Sequence, residues 1–228
     1  MNARMIDKII ALLNPQRHKG EKSYLSTILT EYKNKRPNYE EFRIAAHRAL
    51  EALLKEGEYK YQIISRTKTH ERLEEKLLRK KEHGIFYHSV EEVEDLVGIR
   101  IIFYTERDKE KFVKKIKNEI GGFMKIEERV KDNGYRATHI IMSFGRKRLN
   151  LSEYKQFRGL KSEVQITSIL HHAWAEIEHD LIYKDINNLK IRDPEKFELT
   201  KQKIHLLLEK YIKKAATELE EIIDNGTE

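Results

Sequence analysis

Apolar residues recur at a helical spacing in the first part of the chain and at a strand spacing in its middle. Over residues 39–56 they recur at the three- and four-residue spacing typical of a helix with one buried face. Pro37 is predicted to break the chain just before this helix, and Gly57 lies just past its end. A basic helix is predicted next, over residues 69–81.

The period changes in the middle of the chain, where short runs rich in β-branched residues are bounded by turn residues. These runs predict strands over residues 59–65, 98–104, 124–130, 138–144 and 161–166. Further helices are predicted over residues 108–120, over 168–184 and from 194 to about 224. The predicted fold class is therefore α+β (mixed α/β), with a central mixed five-stranded sheet and helices packed on it. Helical extensions are predicted at 1–57 and 186–228, around a core at 58–185.

The helix predicted over residues 168–184 carries two stripes of side chains. Its apolar stripe, which we expect to be buried, comprises Ile169, Leu170, Ala173, Trp174, Ile177 and Leu181. A separate polar stripe follows the i, i+4, i+7, i+11 spacing of one helix face and comprises His172, Glu176, His179 and Tyr183.

Composition narrows the class of protein. Of the 228 residues, 36% are charged and none is cysteine, so disulfides and thiolate metal sites are excluded. No apolar run is long enough to span a membrane, and a cytoplasmic location is expected. The net charge of +7 indicates either a modest lysine excess on a solvated surface or a polyanionic partner, such as nucleotide phosphates or RNA.

A carboxylate is predicted on an apolar strand at Glu163. Because side chains alternate across a sheet, Val164 and Ile166 should face the core, while Glu163 and Gln165 face the other side. A carboxylate on a central strand is costly unless it is paired or binds a metal. The alternative is an edge strand with Glu163 in water.

A second carboxylate, Asp95, precedes the strand that starts near Gly98. Arg100 should point to the face opposite Ile99 and Ile101. By itself this pattern favours a local ion pair between an aspartate and an arginine. With Glu163 on a neighbouring strand, the two carboxylates could instead share Mg²⁺, which prefers carboxylate oxygens and substrate phosphates.

Two further segments suit nucleotide binding. Asn133-Gly134 is a hairpin turn signal, and the exposed Tyr135 that follows it suits stacking on a base. Cations that suit phosphate clamping follow the first strand and continue onto the basic helix, and they include Arg66, Lys68 and Lys76. The plainer interpretations are that Asn133-Gly134 forms an ordinary hairpin turn and that the cations lie on a solvated helix face.

Five motifs occur in a recognisable order along the chain. They are Arg66-x-Lys68, Asp95-x-x-Gly98-Ile99-Arg100, Asn133-Gly134-Tyr135-x-x-x-His139, Glu163-x-Gln165-Ile166 and Trp174-Ala175-x-x-x-Glu178-His179. Over about residues 45–185 this order resembles the synthetase domain of the RelA/SpoT family. Members of that family transfer the β,γ-pyrophosphoryl group of ATP to a 3′-hydroxyl of GDP or GTP, giving (p)ppGpp and AMP.

The resemblance implies a role for each matching residue. Asp95 would hold Mg²⁺, and Glu163 would join the metal or activate the acceptor hydroxyl. The residues implied for ATP are Arg66, Lys68, Lys76 and Arg100. The residues implied for the acceptor are Lys131, Asn133, Tyr135, His139 and Gln165.

The chain departs from the family pattern at two places. Thr167 stands where the family often has arginine, and Ala137-Thr138 precedes His139 where Ser-Leu is common. Residues 172–180 are more similar to toxin-like branches, some of which place pyrophosphate on the 3′ end of tRNA. The alternatives are therefore tRNA modification, or a catalytically inactive module that binds nucleotides or RNA. A second copy of the chain and a neutralising antitoxin stay open as partners.

Overall fold

The computed structural model describes residues 15–119, 124–129, 137–185 and 188–225, which contain both helices and strands. The helices are α1 (Pro15–Glu56), α2 (His70–Glu82), α3 (Glu106–Glu119), α4 (Arg146–Leu149), α5 (Ile169–Glu178), α6 (Leu189–Arg192), α7 (Pro194–Leu207) and α8 (Lys213–Asn225). The strands are β1 (Tyr61–Thr67), β2 (Val97–Phe103), β3 (Met124–Arg129), β4 (Thr138–Phe144) and β5 (Ser162–Ser168). Short 3₁₀ turns lie at Val90–Glu92 and Ser152–Phe157, and π-helical segments at His179–Tyr183 and Leu208–Ile212. Within these described ranges, no helix is both long and apolar enough to cross a membrane.

The strands form one five-stranded sheet in the order β1-β2-β5-β4-β3. Strands β2 and β5 are parallel, whereas the other neighbours are antiparallel. The mixed five-stranded sheet predicted from the sequence is therefore confirmed. The parallel pair lies at its centre, and Glu163 is on a central strand rather than on an edge.

Strand register aligns residues of neighbouring strands in two rows across the sheet. Most of the side chains in these rows are polar, and we call them the polar rows. The first row comprises Arg66, Gly98, Glu163 and Ile141. The second row comprises Ile64, Arg100, Gln165 and His139. Side chains on one strand alternate between the two faces, and Ser65, which lies between Ile64 and Arg66, accepts a hydrogen bond of 2.7 Å from Arg43 on α1. Both rows therefore face away from α1.

Helix α1 covers the other face of the sheet. Phe42, Ala46, Leu50 and Leu54 recur every fourth residue and are fully buried in the main core. The ring of Phe42 meets that of Phe144 on β4 edge to face, with their centroids 5.3 Å apart. Because the apolar layer lies on this side, the opposite face is left for the polar rows.

The predicted break at Pro37 is wrong, because Pro37 lies inside α1. A proline in a helix interior lacks a backbone donor and typically costs about 3 kcal/mol. Tyr32 and Tyr39 lie on either side of it, both are buried, and their ring centroids are 5.9 Å apart. Burial of these two large side chains, together with Phe42, offsets the cost of the proline.

The predicted buried stripe of α5 is also wrong in part. Trp174 is buried, but Ile169, Ile177 and Leu181 are exposed. Trp174 packs with Ile204 and Leu208 in a small second core, and its indole N–H donates to the carbonyl of Ile204 at 2.9 Å. This contact holds α5 against α7, so the aromatic residue rather than the aliphatic stripe sets the orientation of the helix.

Candidate active site

A glutamate and a histidine meet on the polar face of the sheet. The Nδ1 atom of His139 lies 3.0 Å from Oε1 of Glu163. His139 is buried, whereas Glu163 is partly exposed at the face away from α1. An ionised carboxylate can only accept, so this contact places the Nδ1 hydrogen on His139 and fixes the orientation of the carboxylate.

Gly98 separates Arg66 from Glu163 in the first row. A Cβ atom at this glycine would lie 3.9 Å from Cγ of Arg66, which is ordinary van der Waals contact. The glycine is therefore not required by a clash in the protein itself. Its missing side chain leaves open space in the row between Arg66 and Glu163.

Asp95 is held between two lysines. Nζ of Lys76 lies 2.6 Å from Oδ1 of Asp95, and Nζ of Lys68 lies 3.2 Å from Oδ2. Burial would raise the pKa of Asp95, but the charges and hydrogen bonds of the two lysines outweigh it and hold the pKa below its usual value. Asp95 is therefore an anion at neutral pH, and both lysines predicted to bind phosphates contact this carboxylate.

The Asp95 cluster adjoins the first row. Lys68 directly follows the end of β1, Asp95 comes just before β2, and the backbone N–H of Lys68 donates to the carbonyl of Leu96 at 2.8 Å. Arg66 and Gly98 face each other in the same corner of the sheet. The cluster therefore lies at the end of the two strands that carry Arg66 and Gly98.

Arg100 is fixed by two hydrogen bonds from different nitrogens of its guanidinium. Its Nε donates to Oε1 of Gln165 at 3.2 Å, and its Nη1 donates to Oε1 of Glu176 on α5 at 2.7 Å. These two contacts, one to β5 and one to α5, fix the plane of the group.

His172 lies beside this ion pair, with Nδ1 3.9 Å from Oε1 of Glu176. Burial and then the charge of Arg100 lower the pKa of His172, although Glu176 opposes them. His172 and Glu176 belong to the polar stripe that the sequence places on this helix, but no site role was predicted for them. The contact of Glu176 with Arg100 could not be foreseen, because it joins α5 to β2.

The structure thus brings together five of the predicted residues on one face. They are Arg66, Arg100, His139, Glu163 and Gln165. Asp95, Lys68 and Lys76 form the adjoining cluster. Lys131, Asn133 and Tyr135, which were predicted to bind the acceptor, lie outside the described residues.

A buried polar cluster, which the sequence analysis missed, lies at the end of β5. Oε1 of Glu106 is 2.8 Å from Nδ1 of His171, and Glu106 also accepts hydrogen bonds from Lys109 and Ser168. All four residues are buried. The contacts join the start of α3 to the junction between β5 and α5, so the cluster is a structural crosslink behind the polar face.

The family to which the chain belongs follows from a comparison with known proteins. The profile described as "Region found in RelA / SpoT proteins" matches residues 65–188, from the end of β1 through β2, β5 and α5. The chain belongs to this family. The match includes Arg66, Asp95, Arg100 and Glu163, so the motifs and the geometry point to the same group of proteins.

One curated relative of this RelA/SpoT chain is GTP pyrophosphokinase YwaC of Bacillus subtilis (strain 168). The two are 33% identical over 128 residues, which are 54% of this chain and 58% of the relative. The matched region therefore spans less than two thirds of the relative's length.

Solved structures of the small alarmone synthetase 1 from Bacillus subtilis have the same fold. One has a TM-score of 0.60 at 21% identity and covers 86% of this chain and 95% of that chain. A structure of that protein bound to its product pppGpp has a TM-score of 0.59 at 20% identity, with 86% and 96% covered. Another, bound to AMPCPP, has a TM-score of 0.56 at 23% identity, with 84% and 93% covered.

Proposed function

We propose that the chain is an ATP-dependent pyrophosphokinase that transfers the β,γ-pyrophosphoryl group of ATP to the 3′-hydroxyl of GDP or GTP. The observation that carries the proposal is the Glu163–His139 pair at the open face, with Glu163 in the row that holds Arg66 and His139 in the row that holds Arg100. A base with cations beside it is what phosphoryl transfer needs, since its catalysis is mostly positioning and charge stabilisation. The name of the relative YwaC and the pppGpp complex of the structural relative support the same reaction.

The proposed step is an in-line displacement. The 3′-oxygen of the acceptor forms a bond to the β-phosphorus of ATP, and the bond from that phosphorus to the α,β-bridging oxygen breaks. The electron pair leaves with AMP, and Glu163 accepts the proton of the hydroxyl. His139 holds the carboxylate in place, while Arg66 and Arg100 bind and orient the donor.

Magnesium is the proposed cofactor, held by Asp95 and Glu163 together with phosphate oxygens of the substrate. Within the described ranges, no group of three or more histidine, aspartate or glutamate side chains is placed to hold a metal ion. That fits Mg²⁺, which commonly binds through one or two carboxylates and the substrate rather than through a protein-only cage. When bound, the ion neutralises charge on the phosphates. The anionic state of Asp95, kept by Lys68 and Lys76, suits this role.

The direct test is incubation with γ-labelled ATP and Mg²⁺ in the presence of GDP, GTP, ATP or bulk tRNA, each in a separate reaction. We expect label in a guanosine product that carries a 3′-pyrophosphate, with AMP formed in equal amount. The absence of transferred label from every reaction would contradict enzymatic activity and favour an inactive binding module.

The 3′ end of tRNA is the second candidate acceptor. The net charge of +7 and the sequence pI of about 9.2 favour a polyanionic partner. Binding to an RNA backbone releases counterions, so transfer to tRNA should fall steeply with salt, whereas transfer to GDP should fall only weakly. Label on tRNA alone would replace GDP and GTP as the proposed acceptors.

Asp95→Asn is expected to lower activity by about 100-fold, because it removes the charge of one of the two carboxylates proposed to hold Mg²⁺ against the phosphates. It also leaves Lys68 and Lys76 without their shared counter-ion. The measurement is the initial rate across a Mg²⁺ titration. Asp108→Asn is the matched control, since Asp108 lies on α3, on the core side of the sheet. An Asp95→Asn variant with normal rates and an unchanged Mg²⁺ dependence would rule out the metal role.

Glu176→Gln is expected to raise the KM for ATP by about two- to fivefold with little change in kcat, in line with the modest strength of a half-exposed ion pair. The variant weakens the contact that fixes Arg100, whereas Gln165 still accepts from Nε. Steady-state kinetics with varied ATP measures the effect, and Glu110→Gln on α3 is the control. A change in kcat alone would show that Glu176 acts on something other than the orientation of Arg100.

A further inference from the structure

The second half of strand β1 turns polar side chains towards helix α1. On the face of the sheet that α1 covers, Ser65 pairs in register with Ile99 on β2, which pairs in turn with Val164 on β5. Ile99 and Val164 are buried in the main core, whereas Ser65 is polar, and Thr67 lies on the same face two residues further along the strand. Apolar packing alone therefore does not hold this part of β1 against α1.

Glu40 and Arg43, which lie one turn apart on α1, bind both of these side chains. The hydroxyl of Thr67 donates to Oε2 of Glu40, and Nη1 of Arg43 donates to Oγ of Ser65 at 2.7 Å. The two α1 residues also bind each other, since Nε and Nη2 of Arg43 donate to Oε1 of Glu40 at 2.9 and 2.6 Å. Hydrogen bonds from Arg43 and Thr67 hold the pKa of Glu40 below its usual value, although burial opposes them, so Glu40 is an anion at neutral pH. The four side chains form one connected set of contacts, which we call the α1–β1 network.

The α1–β1 network holds the backbone on both sides of Arg66. Arg66 lies between Ser65 and Thr67, and its side chain points to the opposite, polar face of the sheet. The backbone of the next cation, Lys68, is also held by α1, because its carbonyl accepts a hydrogen bond from the hydroxyl of Tyr32. Helix α1 therefore fixes the strand that carries the two cations proposed to bind ATP.

Strand β1 lies at an edge of the sheet. Among the strands that the structure describes, it pairs with β2 alone. The side chain of Arg66 is exposed, so its position depends on the backbone that carries it. A binding group on an edge strand is held precisely only if another element supports that strand, and the α1–β1 network supplies this support.

We propose that Glu40 and Arg43 are positioning residues for the donor nucleotide, which hold β1 so that Arg66 and Lys68 bind ATP in one geometry. This inference rests on the proposed function, because it takes ATP as the ligand of the two cations. Glu40 and Arg43 lie behind the sheet, so they act on ATP through β1 and not by direct contact. A small displacement of a binding group is enough to weaken the binding of a substrate, which is why the support matters.

Binding of the non-hydrolysable ATP analogue AMPCPP to the full chain, together with steady-state kinetics, tests the proposal. Glu40→Ala should raise the Kd for AMPCPP and the KM for ATP by about three- to tenfold, the scale of one or two partly exposed hydrogen bonds. Its kcat and its KM for the acceptor should stay within about twofold of wild type. Glu51→Ala is the matched control, because Glu51 lies on the same helix and pairs at 3.3 Å with Lys55, within α1.

The outcomes separate this inference from the proposed function. If wild type binds AMPCPP and Glu40→Ala binds it equally well, the positioning role is overturned while the proposed reaction stands. A fall in kcat and a rise in the KM for the acceptor, as large as the change for ATP, would make Glu40 a general support of the fold and would also overturn the role. A wild-type chain that does not bind AMPCPP would overturn ATP as the ligand, and the proposed function with it.

Thr67→Val tests whether the effect of Glu40 passes through β1. Valine keeps the strand preference of threonine but lacks the hydroxyl that donates to Glu40. The variant should raise the KM for ATP by about two- to threefold, and adding it to Glu40→Ala should cause no further rise, because the hydrogen bond is already lost. Thr200→Val on α7 is the control for loss of an exposed threonine hydroxyl. Effects that multiply in full in the double variant would overturn the route from Glu40 to Arg66.

Discussion

Glu163→Gln is expected to lower kcat for pyrophosphoryl transfer by about 100- to 10,000-fold, the usual contribution of a general base. The substitution keeps the shape of the side chain and its carbonyl can still accept from Nδ1 of His139. It removes the basic oxygen that would take the proton of the acceptor hydroxyl. The measurement is kcat with saturating ATP and acceptor, together with binding of a non-hydrolysable ATP analogue.

The binding measurement separates chemistry from positioning. Arg66 and Arg100 are unchanged in this variant, so the affinity for the analogue in the absence of metal should stay within about twofold. Glu110→Gln serves as the control for a glutamate far from the polar face. A Glu163→Gln enzyme with kcat near that of the wild type would remove Glu163 from its proposed role as the base.

Alternation along one strand was enough to predict the face on which Glu163 lies. Val164 and Ile166 are buried, as predicted, while Glu163 and Gln165 lie on the opposite side. The alternation of side chains between the two faces follows from backbone geometry alone, so it does not depend on what packs against the sheet. The same reasoning placed Arg100 opposite Ile99 and Ile101, and the structure confirms it.

Contacts between elements could not be predicted in the same way. The lysines at positions 68 and 76 converge on Asp95 because the end of β1, the helix α2 and the start of β2 meet in one corner. The composition of the sequence does not show which of these elements lie next to one another. Likewise, α5 buries His171 rather than Ile177, because Glu106 on α3 supplies a partner for the imidazole and makes its burial favourable.

Glu106→Gln is expected to lower the free energy of unfolding by about 3 kcal/mol at pH 7, because a buried charge is lost while its partners stay in place. The substitution leaves Lys109 without its counter-ion and gives His171 and Ser168 an amide in place of a carboxylate. Because the cluster joins α3 to β5 and α5, the loss should appear as global destabilisation. Urea unfolding followed by circular dichroism measures it.

The pH dependence of the difference in unfolding free energy between wild type and Glu106→Gln shows whether the charge of Glu106 causes it. Burial alone would raise the pKa of Glu106, but hydrogen bonds from His171, Lys109 and Ser168 outweigh it and lower the pKa from 4.5 to about 2. A group whose pKa is lower in the folded state stabilises the fold above its unfolded pKa, and this contribution, about 3 kcal/mol, is lost as the pH falls. The difference in unfolding free energy between wild type and Glu106→Gln should therefore be full at pH 7 and shrink as the pH falls from about 5 towards 2.

Glu110→Gln, an exposed change on the same helix, should show no such difference from wild type. A difference of constant size over this range would mean that the pKa of Glu106 is the same in the folded and unfolded states, and the crosslink would then depend on packing rather than on charge.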